Sequence, residues 1–160
     1  MALSKRDIKS SYPLPSYNYR VTVLGEGDVN VIGFSDVSGL SVECQPVTYR
    51  HGLSFTTGVN LISGMRQTVR LTLKKGLMKN GDFLQKWLTE SYSDPYSVTA
   101  KRDVIIDLCD EAGLPVIRWK VIGALPVKLD APNFSASSNE IAIASMELIA
   151  VDLKVDYQPS

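Results

Sequence analysis

A mainly β chain with one flanking helix is the fold class the sequence predicts, and three observations carry that prediction. Strand-period alternation recurs along the chain: Tyr17, Tyr19, Val21 and Val23 alternate with Asn18, Arg20 and Thr22, and Val69, Leu71 and Leu73 with Thr68, Arg70, Thr72 and Lys74. One stretch changes period. Phe83 pairs with Trp87 and Leu84 with Leu88 at four-residue spacing, while Gln85, Lys86, Thr89 and Glu90 stay polar, the pattern of an amphipathic helix over about residues 81–91. At 160 residues the chain can bury one core but not two. The expected architecture is a small antiparallel β-barrel or sandwich, one helix, and an extended arm at about 50–64.

Residues 1–16 carry charge, serine and a Pro-Leu-Pro turn and read as a flexible arm. Residues 17–156 read as one domain and 157–160 as a tail. After the first strand, a turn at Gly25–Asp28 leads into a hairpin partner, VNVIGF. Ser35–Tyr49 continues as extended chain, with Gly39 as a bend and Pro46 marking an edge or local break. The arm, RHGLSFTTGVNLISG, holds Leu53, Phe55, Val59, Leu61 and Ile62 with little charge. Exposed alone it would be an unusual surface, so it reads either as an arm or hairpin packed on another subunit or as a strand pair on the same core. Candidate interface residues are therefore Arg50, His51, Leu53, Phe55, Val59, Leu61 and Ile62. Asp82 stands at the helix N-cap with Gln85 as a weak capping box. Beyond the helix, residues 101–122 form a clear hairpin turning at DEAG, residues 123–139 read as a crossing segment, and Glu140–Val155 as a last strand apolar on both faces, with a helix as the competing reading.

No side-chain set carries chemistry, and the expectation is a protein that is no enzyme and needs no cofactor or metal. His51 is the only histidine and reads as a solvent or interface residue. Asp107, Asp110 and Glu111 read as solvent-facing groups at a hairpin end, and Cys44 and Cys109 as small buried hydrophobes suited to a reducing compartment. The glycines of the arm lack the Walker lysine and the dinucleotide spacing. With 17 basic and 17 acidic side chains the formal charge is zero, so nothing in the balance calls for nucleic acid or an acidic membrane, and Lys74, Lys75 and Lys79 read as a solvated strand end or a salt-bridged protein contact. The basic N-terminus is not followed by the apolar run of a signal peptide, and no run has transmembrane length.

Seven landmarks in order carry a family resemblance: SYPLPSYNYRV at 11–21, GFSDVSGL at 33–40, VTYRHG at 47–52, VRLTLKKG at 69–76, the Trp87 helix, KRDVIIDLCDEAGLPVIRW at 101–119, and GALPVKLDAPNFSASSNEIAIASMEL at 123–148. From about Tyr12 to Val155 the chain resembles tail tube proteins of contractile phage tails and phage-tail-like injection particles. It departs from the family pattern at His51, where an acidic residue is common, and at Ser63–Gly64, where Pro-Gly is common. The resemblance implies hexameric rings stacked into a hollow tube, with sheath, spike or baseplate hub, tape-measure and tube-terminating proteins as partners and cargo in the lumen. It also implies assembly in the cytoplasm of the producing cell. A specialised ring joining the tube to the spike or baseplate is the alternative within the family. A monomeric ligand-binding β-sandwich is the alternative outside it.

Overall fold

The hairpin expected at residues 101–122 forms, but its second strand runs on well past it. In the computed structural model, which describes residues 4–25, 27 and 29–159, β7 (Arg102–Cys109) pairs antiparallel with the 16-residue β8 (Pro115–Asp130). Residues 123–130, expected to cross as a loop, are therefore strand. The strand bends where Gly123 adopts φ +64°, a left-handed conformation open to glycine at little cost. Its neighbour breaks at the same level. The run expected as one strand from Glu140 to Val155 is β9 (Ile143–Ala150) and β10 (Asp152–Asp156), interrupted at Val151, whose amide donates to the Ile122 carbonyl at 3.0 Å. A Cβ on Gly123 would lie 3.1 Å from Val151 Cγ2, so the two interruptions pack on each other.

The bend separates two groups of strands. On one side of it, β1 (Tyr19–Leu24) lies between β2 (Val29–Ile32) and β7, and β10 runs along the far edge of the first half of β8. On the other side, β9 pairs the second half of β8 and then β6 (Val69–Gly76), which carries β3 (Asp36–Ser38). The path is β2-β1-β7-β8-β9-β6-β3, eight strands counting β10. Val21, Val23, Val104, Ile106 and Val121 from the first group and Leu71, Leu73, Met146 and Leu148 from the second form a single buried cluster. The alternation in β6 and β9 thus faces inward, as strand periodicity requires, and the helical reading of residues 140–155 falls away. The expectation that this run is covered on both faces is corrected too: Ala144, Met146 and Leu148 are buried, but Ile141 is 79% exposed.

The helix α3 (Phe83–Ser93) closes the core with Leu84 and Trp87. Trp87 is 1% exposed, and its indole N–H donates to the Ala100 carbonyl at 2.9 Å, so the buried polar atom of the ring is satisfied. The Arg102 guanidinium lies over both the Phe83 and Trp87 rings. Asp82 occupies the N-cap position, yet its side chain makes no capping bond; it pairs with Lys86 at 2.8 Å instead, and the Gln85 capping box does not form. Two further helices escaped the periodicity. One is α1 (Lys5–Ser11), started by a true capping box between Ser4 and Asp7, and the other is the single turn α2 (Ser54–Thr57). Of the expected turn at Gly25–Asp28, Glu26 and Asp28 lie outside the described residues, as do Met1–Leu3 of the arm and Ser160 of the tail. Gly39 bends as expected, at φ +88°, and glycine is needed there because any Cβ would meet the Arg70 carbonyl oxygen.

Two single-residue expectations are reversed. Asp107 is not a solvent-facing turn residue: its side chain is 2% exposed, at a register position between Arg20 of β1 and Arg118 of β8. Arg118 approaches it through Nε at 2.7 Å and Nη2 at 3.1 Å, and Arg20 through Nη2 at 3.3 Å. The Asp107 carboxylate in turn raises the pKa of the Arg118 guanidinium above its ordinary value. Cys109 is buried as expected, whereas Cys44 is exposed, because its strand does not belong to the core sheet.

Truncating Trp87 to alanine should destabilise the monomer by about 3–5 kcal/mol, read as a lower urea midpoint. An unchanged midpoint would mean that the stripe of α3 is not part of the core. Asp107→Ala should cost less, about 1–3 kcal/mol, since both arginines still reach water when their shared partner is gone.

Candidate subunit interface

Outside the core, the chain between β3 and β6 builds a separate hairpin. Its strands are β4 (Cys44–Tyr49) and β5 (Asn60–Arg66), paired only with each other. The register shifts between Cys44 and Pro46, as the missing proline amide requires at a sheet edge. Gly64 is needed there for a different reason: a Cβ would collide with the Gln45 carbonyl oxygen. All six residues of β4 are exposed, and of β5 only Gly64 is partly covered. At the base, Arg66 Nη1 donates to Asp152 Oδ1 at 2.8 Å and the Gln67 amide to the Glu43 carbonyl at 2.9 Å.

The tip is held by its own short-range bonds. The His51 amide donates to Ser54 Oγ at 2.8 Å, the Leu53 amide to His51 Nδ1 at 3.1 Å, and the Thr56 and Thr57 hydroxyls to the Leu53 carbonyl at 2.9 and 3.0 Å. Gly58, at φ +81°, donates its amide to the Ser54 carbonyl and ends the turn. The imidazole thus has a structural part, with Nδ1 engaged locally and the ring 6.0 Å from that of Tyr49.

Arg50, His51, Leu53, Phe55, Val59, Leu61 and Ile62 all lie on this hairpin and all are exposed. They do not form one face. Ile62 stands opposite Val47, and Leu61 opposite Thr48 with its side chain on the other surface, while Leu53 and Phe55 belong to the tip, Phe55 being 85% exposed. Sequence reasoning omitted Val47, Tyr49 and Met65, which are equally exposed apolar groups of the same hairpin. The alternation of β-branched and aromatic residues in Val47-Thr48-Tyr49 was the available signal. Among the described residues, no group of three His, Cys, Asp or Glu side chains is placed to hold a metal ion.

The hairpin carries exposed apolar groups on both surfaces and stands off the core. The family model of the T4-like virus tail tube protein gp19 matches residues 15–154, from before β1 into β10. The chain belongs to this tail tube family. Among solved structures, a chain of the sheath-tube complex of PVC, an extracellular contractile injection system in its extended state, is 30% identical, with 98% of this chain and 99% of that one covered and a TM-score of 0.84. A chain of the anti-feeding prophage cap, described as a tube terminating cap, is 32% identical over 98% and 99%, with a TM-score of 0.80. One from the anti-feeding prophage baseplate is 26% identical over 91% and 97%, also at 0.80. None of the curated proteins matches the chain. In this member of the tail tube family, no described helix is long and apolar enough to cross a membrane.

Because the hairpin has a sheet of its own, it should fail without the core failing. Gly64→Val should leave the denaturation midpoint of the core near that of the parent while the β4 and β5 amides lose protection in hydrogen exchange. Loss of both together would show that hairpin and core unfold as one unit.

Proposed function

We propose that the protein is the repeating subunit of the inner tube of a contractile phage tail or injection particle. Copies associate into hexameric rings, the rings stack into a conduit, and the conduit is driven through a target envelope with cargo in its lumen. One observation carries this reading: a chain of the tail tube family presents a preformed hairpin whose apolar groups, Val47, Leu61, Ile62 and Met65 among them, have no covering partner in their own subunit. Burying such groups is worth about 25 cal/mol per Å², so contact with a neighbour supplies the driving force for association. Free strand edges add a second source, since the sheet path ends at β2 and β3 and β10 pairs β8 alone. Strand pairing across subunit boundaries satisfies those backbone groups and closes the sheets into a cylinder.

Partners in this scheme are the sheath, the spike or baseplate hub, the tape-measure protein and the tube-terminating protein. The role is mechanical, with no side chain required for bond making or breaking. Assembly takes place in the cytoplasm of the producing cell. A second reading within the family is a specialised ring joining the tube to the spike or baseplate, and the likeness to a chain of the anti-feeding prophage baseplate supports it.

Leu61→Asp combined with Ile62→Asp should leave the monomer's melting curve unchanged, because neither side chain touches the core, and should abolish tubes in negative-stain micrographs. Tubes of normal number and length from that variant would remove the hairpin from the interface.

A further inference from the structure

If the hairpin is the donor of a subunit contact, the same chain must carry the acceptor, and one surface fits. An open cleft of about 650 Å³ lies beside β1, β3 and the turn end of the β7–β8 hairpin, walled by Tyr17, Tyr19, Phe34, Leu40, Leu108 and Trp119. Its wall is fixed, since the Tyr19 hydroxyl donates to the Phe34 carbonyl at 2.7 Å. Burial, and then the charge of Asp36, raise the Tyr19 phenol above its usual range, so it keeps the proton it donates to Phe34. Among the described residues, Asp36 is the only charged side chain lining the cleft, and its contact with Lys74 is long, at 3.6 Å.

Resting on the tube reading above, we propose that this cleft receives the hairpin tip of a second copy of the chain. Leu53 and Phe55 enter between the aromatic walls, and Arg50 pairs with Asp36. Charge complementarity selects the occupant. From Cys44 to Arg66 the hairpin contains Arg50, His51 and Arg66 and no carboxylate, and Arg66 is held at the base by Asp152, which leaves Arg50 as the guanidinium near the tip. The tip is also placed to reach outward. The seven residues of β5, at about 3.3 Å each, put it roughly 20 Å from its base, where it leaves Phe55 almost bare. Donor and acceptor are different parts of one surface, so the contact is heterologous: each copy that gives a tip still offers a cleft, and the association repeats from copy to copy.

Disulfide trapping tests the pairing. In a Cys44→Ser background, which removes the exposed native thiol, Phe55→Cys and Tyr17→Cys together should give a ladder of covalent multimers beyond the dimer when assembled tubes are oxidised, while either cysteine alone should not. Tubes that form in micrographs but yield no ladder from the pair would overturn the cleft assignment and leave the tube reading intact. A parent chain that forms no tubes, even when seeded by a baseplate, would refute the tube reading itself. A charge exchange gives an independent check: Asp36→Arg should stop assembly, and adding Arg50→Asp to the same chain should restore it. A double variant that melts like the parent but stays unassembled would count against the pair.

Discussion

The coincident interruption of two neighbouring strands, at Gly123 and at Val151, is the constraint on which the rest of the fold depends. A continuous flat sheet of eight strands would leave one apolar face uncovered. Because β8 bends at a left-handed glycine and the strand along its edge breaks opposite, the two halves of the sheet share one core, with Val21, Val104 and Val121 in one half meeting Leu71, Met146 and Leu148 of the other in a single cluster. Glycine suits both demands at position 123 better than a residue with a Cβ. The φ of +64° disfavours most side chains, and a Cβ would press on Val151, 3.1 Å from its Cγ2.

Once the two halves of the sheet share a core, the remaining elements differ in what they add to it. The helix α3 adds Trp87 and Leu84 to the core and leaves its polar side to solvent. The β4–β5 hairpin adds nothing to the core, yet its tip is tied by local hydrogen bonds of Leu53 and His51, four of them using a side chain, and its base by Arg66–Asp152. Such preorganisation reduces the entropy lost on association, so apolar contacts made there are less offset by ordering. In the assembly proposed above, such an element needs no refolding to make its contacts. The Arg20–Asp107–Arg118 trio does comparable work inside the subunit, fixing three adjacent strands in register on the sheet face away from the core.

The mainly β class, the Trp87 helix, the β1–β2 and β7–β8 hairpins and the bend at Gly39 were all legible from the sequence, since each depends on a period or a turn signal contained within a dozen residues. So was the oddness of residues 50–64, because apolar groups without charge in a loop are conspicuous wherever the loop goes. The order of landmarks along the chain also carried the family. Long-range partners were not legible. Residues 123–130 read as part of the Pro- and Ser-containing segment 123–139, and it is pairing, mostly with β9, that makes them strand. Asp107 looked solvent-facing because its burial depends on Arg20, 87 residues away in sequence. Cys44 followed an aliphatic pattern but lies in a strand whose one partner is β5, so it stays exposed. Local sequence determined which segments are strand or helix. Tertiary structure decided which of their faces are covered, because burial depends on what packs against a segment and not on the segment itself.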